Sequence, residues 1–143
     1  MKKRFRGNSA FTLAEILITI TIIAIIAVIA IPRFYQKKEH AVVSEAILML
    51  ATIRQGELIY KQLNGNYVAI IDNNDPNWGV IELTSPGTGS NIAFDYSVDS
   101  VSGKAIATRN TNRAGTLFVN QTIELYLENG TWSGTHPDKP ANT

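Results

Sequence analysis

The sequence predicts an α+β chain in which one long N-terminal helix, membrane-spanning through its first half, packs on a C-terminal antiparallel sheet. Three observations carry that prediction. Residues 16–31 form an uncharged, almost wholly apolar run. From Val42 to Leu63 apolar residues recur every three or four positions, the spacing of one helix face. From Ile92 the apolar period drops to two, the mark of a half-buried strand.

Residues 1–10 are a basic leader carrying Lys2, Lys3, Arg4 and Arg6. The span over residues 11–32 follows. From Phe11 to Ile31 is 21 residues, which at about 1.5 Å per residue covers roughly the 30 Å apolar core of a bilayer. Glu15 is the one charge in that stretch. A charged side chain at the centre of a membrane helix costs about 2.5–3.5 kcal/mol on insertion scales, less near an end, so an intramembrane carboxylate has a partner and a task. Pro32 closes the purely apolar run. It lacks the N–H that would bond the carbonyl of Val28, so a kink or break is expected there.

Residues 33–64 continue as an amphipathic helix. Val42, Ala46, Met49, Ile53, Gly56, Tyr60 and Leu63 form its apolar stripe, read as the face that packs on the chain's own domain. Gly56 in mid-stripe costs about 1 kcal/mol of helix propensity and lets a strand approach closely. Asn64-Gly65-Asn66 ends the helix, because glycine readily takes the left-handed backbone found just past a helix end. Residues 65–91 read as a loop with turn clusters at 72–76 and 85–89 around a short Val80–Leu83 strand. Residues 92–134 form the sheet: Ile92 to Val98, Lys104 to Arg109, Leu117 to Val119 and Thr122 to Leu127, then an Asn129-Gly130 hairpin leading into Trp132. Connections this short imply antiparallel neighbours. The tail, residues 135–143, holds two prolines and little that is apolar, and is expected to be frayed.

The totals exclude several classes. At 143 residues with no cysteine, the chain has one small core, no disulfide and no thiolate metal site. The formal charge of +1 misleads, because four basic residues precede Phe11. From Phe11 onward nine Lys and Arg face twelve Asp and Glu, a net −3, and nucleic acid is not an expected partner. His40 and His136 read as solvent-exposed or capping residues, since no nucleophile motif accompanies them and no catalytic residue is expected. Asp72, Asp75, Asp95 and Asp99 offer hard oxygen ligands without EF-hand spacing. No cofactor is therefore expected, calcium being the one ion their chemistry suits. The sequons at Asn120 and Asn129 are short enough to arise by chance.

A basic head before an apolar run also fits an ordinary secretory signal, with Val28-Ile29-Ala30 as a cut site, or a plain signal anchor held by its cytoplasmic basic residues. Neither accounts for Glu15. Phe11-Thr12-Leu13-Ala14-Glu15 and the apolar helix after it resemble the class III signal of type IV prepilins and type II secretion pseudopilins. Pro32 falls where many pilins carry a proline. The departure is Ala10, since the family residue before the cut is nearly always glycine; alanine is the next smallest.

The resemblance implies cleavage between Ala10 and Phe11 by a prepilin peptidase, N-methylation of Phe11 and retention of the apolar helix. It implies that Glu15 neutralises the Phe11 amine of a neighbouring subunit. The pilin-like fold of that family, a long helix against an antiparallel sheet, is the one read from the periodicities. Its expected role is non-enzymatic: a major or minor subunit of a type IV pilus-like filament for adhesion or motility. Membrane lipid, the prepilin peptidase, an inner-membrane assembly platform and copies of the chain are its partners. The precursor would sit in the bacterial inner membrane, and the assembled form in an extracellular pilus. The alternatives are a pseudopilin of a type II secretion system, in a periplasmic pseudopilus, and a signal-anchored or secreted binding domain. Many major pilins close their C-terminal region with a disulfide and some pseudopilins use calcium; this chain has no cysteine for the former.

Overall fold

The computed structural model describes residues 11–113 and 118–142. The α+β prediction holds: helix α1 spans Leu13–Asn64, and a four-stranded antiparallel meander follows, β1 (Phe94–Asp99), β2 (Lys104–Arg109), β3 (Thr122–Tyr126) and β4 (Trp132–Ser133), in the order β1-β2-β3-β4. The chain divides into two units, Met1–Gln36 and Lys37–Thr143.

Within the first unit the described residues are the start of α1. Its large apolar side chains from Leu13 to Ile31 are all at least half exposed, and the helix is long and apolar enough to cross a membrane. No break occurs at Pro32, where α1 runs on without interruption. One missing N–H removes a single rung of the ladder, and the bonds on either side carry the helix past it.

The second unit holds one core. Val42, Val43, Ala46, Leu50 and Ile53 of α1 join Phe94, Tyr96 and Val98 of β1, Ala105 and Ala107 of β2, and Ile123 and Leu125 of β3. Each of these strands alternates more and less buried positions, as a sheet with one face on the core must. The helical stripe is only partly as expected. Val42, Ala46 and Ile53 are buried, but Leu63 is 79% exposed and Leu50 is fully buried in place of Met49. The true inner face includes two acids, Glu39 and Glu57, which no apolar pattern contains. Gly65, at φ +84°, ends the helix as anticipated, its N–H bonding the Lys61 carbonyl at 2.7 Å.

Residues 65–91 form no strand at Val80–Leu83. They hold a short 3-10 helix, Pro76–Trp78, capped by Asp75, whose carboxylate accepts from the backbone N–H groups of Ile71 (2.7 Å) and Asn77 (2.9 Å) and is thereby held below its ordinary pKa. Trp78 is buried and donates its indole N–H to the Asp72 carbonyl at 2.9 Å. Ile81 packs where Gly56 leaves no side chain, so a turn makes the close approach expected of a strand: a Cβ on Gly56 would lie 2.8 Å from the Ile81 carbonyl oxygen.

Three sheet boundaries also differ. β1 starts at Phe94 rather than Ile92. Of the Leu117–Val119 candidate, Leu117 lies outside the described residues and Phe118–Asn120 is a turn. β3 ends one residue short of Leu127, where the turn into Gly130 (φ +73°) begins. Arg54 of α1 pins that turn, donating to the carbonyls of Leu127 (2.8 Å) and Glu128 (3.2 Å), and Lys61 pairs with the Glu128 carboxylate.

The tail is not frayed. His136 is fully buried, its N–H bonding the Thr122 carbonyl at 2.9 Å. Gly134 (φ +110°) passes so close to the Thr122 carbonyl that any Cβ there would collide with it. Hydrogen bonds and one buried aromatic ring hold a segment whose low apolar content suggested looseness.

Candidate functional site

The sequence singled out Phe11 to Glu15, and the structure gives that segment a definite geometry. Thr12 is the N-cap of α1, with Leu13 its first helical residue. One carboxylate oxygen of Glu15 accepts from both the backbone N–H and the hydroxyl of Thr12, each at 2.8 Å, and the Glu15 N–H donates back to the Thr12 hydroxyl at 3.2 Å. This is a capping box, in which residues N-cap and N3 satisfy each other's backbone donors. The signal was present as Thr-x-x-Glu ahead of an apolar run. Sequence reasoning took Glu15 only as a charge in need of a partner. The capping role adds a local reason for Thr12 and for the spacing between them. Among the described residues, the second Glu15 oxygen has no hydrogen bond.

Phe11 is exposed, and Ala10 lies outside the described residues. Hence the cleavage position itself has no geometry here. The side of α1 presented by Ile16, Leu17, Ile20 and Ile23 is as exposed as the rest of the apolar half.

A second polar cluster was missed. Glu39, Arg109 and His136 are buried together: Arg109 Nε reaches Glu39 Oε1 at 2.8 Å, Arg109 Nη2 reaches Glu39 Oε2 at 3.3 Å, and His136 Nε2 lies 3.2 Å from Glu39 Oε1. The backbone N–H of Asp138 points at His136 Nδ1 at 3.2 Å. Nδ1 is thus the acceptor, which leaves Nε2 to donate to Glu39. The remaining Arg109 nitrogen donates to the carbonyls of Ala93, Asn110 and Asn112, and Phe94 and Phe118 flank the imidazole. Every polar atom of this cluster serves the fold. His136 is therefore neither exposed nor a cap, and His40, which is exposed, faces Asp138 at 3.4 Å.

The four aspartates are similarly engaged. Asp72 and Asp75 accept from loop backbone, Asp95 accepts from the side chains of Asn73 and Asn110, and Asp99 accepts from Val101 and Ser102. Among the described residues no three acids or histidines are grouped to hold a metal ion.

Residues 5–31 match the family model of the prokaryotic N-terminal methylation motif. No curated protein shows a significant match to the chain. The matched segment contains the whole capping box and the apolar half of α1.

Proposed function

We propose that this chain, whose methylation motif marks it as a type IV pilin-like or pseudopilin protein processed by prepilin peptidase, is a structural subunit of a type IV pilus-like filament. The observation that carries the reading is a single carboxylate, Glu15, set in a capping box at the third residue of α1, whose apolar half is otherwise uncharged and exposed.

Cleavage between Ala10 and Phe11 exposes an α-amine, which has an unperturbed pKa near 8 and is mostly protonated at neutral pH. Buried in a bundle of apolar helices, that amine needs a counter-charge. Glu15 spends one oxygen on Thr12 and keeps the other for a neighbour's Phe11 amine, so two groups that are each costly in lipid set the register of the stack. The exposed apolar surface of α1 serves first to hold the precursor in the inner membrane and then to form the filament core. The reading has no catalytic step.

A pseudopilin of a type II secretion system is the second reading. It is favoured by the absence of cysteine together with a C-terminal segment fastened by hydrogen bonds rather than a disulfide. Imaging cells that express the chain separates the two: long surface fibres support the pilus, and their absence with secretion lost on deletion supports the pseudopilus. A signal-anchored or secreted binding domain has no use for a methylated Phe11, so the mature N-terminus distinguishes it from both.

A further inference from the structure

Both open edges of the sheet are closed by an asparagine side chain standing in for a peptide group. At the β1 edge, the Asn73 amide accepts from the Tyr96 N–H at 2.7 Å and donates to the Phe94 carbonyl at 3.2 Å, while Ile70 exchanges both backbone bonds with Val98. At the β4 edge, the Asn142 amide accepts from the Trp132 N–H at 2.5 Å and donates to the Trp132 carbonyl at 2.9 Å. A carboxamide has the donor and acceptor of a peptide unit, so each asparagine completes the ladder that a further strand would otherwise complete. An uncovered edge is a template for pairing with another chain.

The two closures differ in kind. Asn73 is buried and belongs to the core. Asn142 is exposed and follows a segment that Thr122 of β3 holds through Thr135 and His136, with Asp138 bonded in turn to the His136 ring. Nothing in the core requires Asn142, and its bonds go to the backbone of an edge strand.

We propose that residues 134–142 are a strap across β4, and that Asn142 prevents copies of this chain from joining strand to strand. The need for such a device rests on the proposed function, because a subunit confined to a membrane plane and then stacked in a filament meets its own copies at high local concentration. A sheet edge left open would offer those copies a second way to join, beside α1. The occupant that the strap excludes is the β4 edge of a second copy.

The test uses the full-length protein in lipid bilayers, before any filament forms, and reads hydrogen exchange at the Trp132 amide. In the unaltered chain that amide is protected equally at high dilution and under crowding. In Asn142→Ala it exchanges at least about tenfold faster when dilute, having lost its acceptor, and regains protection when crowded, as edges of two copies pair. Unchanged exchange in the variant would overturn the strap. Fast exchange that crowding does not slow would overturn the exclusion of strand pairing. Protection of the β2 and β3 amides verifies the fold, and a chain ending at Ala141 removes the same amide if the substitution disturbs it. Neither outcome bears on whether the chain forms filaments, so failure here leaves the proposed function standing.

Discussion

Glu39 and Arg109, seventy residues apart in sequence, form a two-pronged ion pair that is almost completely removed from solvent. His136 Nε2 bonds Glu39 Oε1, the oxygen that Arg109 Nε also holds. The pair joins α1, the end of β2 and the C-terminal segment at one point, in a chain that has no disulfide to do so.

Breaking this pair leaves a buried, uncompensated charge. Arg109→Leu is expected to destabilise the folded unit by about 3–5 kcal/mol, read as the shift in urea midpoint of a fragment beginning at Lys37, which retains every residue found buried among the described ones. The double change Glu39→Leu with Arg109→Leu should recover much of that loss, because the desolvation of both charges is relieved. A single-mutant loss below about 1 kcal/mol, the range of surface pairs, would show the cluster to be solvated.

Glu57 gives a pH dependence of definite sign. It is fully buried, with one oxygen accepting from the Val68 N–H at 2.9 Å and the other without a partner among the described residues. Burial outweighs that bond and raises its pKa above 4.5. A carboxyl group whose folded pKa is raised favours the protonated form, so its stabilisation is full below the unfolded pKa and is lost as pH rises through the folded value. Stability should therefore fall on going upward from about pH 4.5. Glu57→Gln should flatten that slope and raise the urea midpoint at pH 7; an unchanged slope would contradict the assignment.

Gly56 sets two opposed effects against each other. Alanine gains about 1 kcal/mol of helix propensity, while its Cβ would lie 2.8 Å from the Ile81 carbonyl, an overpacking that costs about 1–3 kcal/mol. Backbone cannot swing aside as a side chain can, so a net loss of up to about 2 kcal/mol is expected for Gly56→Ala in thermal or urea unfolding. A gain in stability would mean that the loop carrying Ile81 yields readily.

The fold was legible wherever residues alternate by type. The β2 limits, the end of α1 and the antiparallel order all followed from apolar periods and turn residues. What escaped was polar structure in buried places. Glu39 and Glu57 lie on the inner face of α1 but break its apolar stripe, which pulled the expected face round by about one residue beyond Ala46. His136 and Asn142 hold the tail through hydrogen bonds, which a search for apolar residues does not register. At the N-terminus the motif was plain, and the capping geometry stood unread in the spacing of Thr12 and Glu15.

Glu15 and Thr12 can be separated by substitution. Glu15→Val removes the one charge in the span, so membrane insertion should improve by up to roughly 3 kcal/mol, less near the interface. If the carboxylate also pairs with a neighbour's amine, the same change strands that amine at a cost of about 3–5 kcal/mol. The variant should accumulate in the membrane with its sheet domain folded and yield few or no filaments. Thr12→Ala loses the cap, about 1 kcal/mol, but keeps the carboxylate, and should still assemble. Equal filament yields from both variants would remove the special role given to Glu15.

Removal of the leader with retention of the apolar helix is decided by the mass of the mature N-terminal peptide. The mature chain should begin at Phe11 and carry one added methyl group, with Ala10→Gly leaving that product intact and Ala10→Leu abolishing it. An intact Met1 terminus, or a chain beginning at Ile31 after loss of the apolar run, would contradict it.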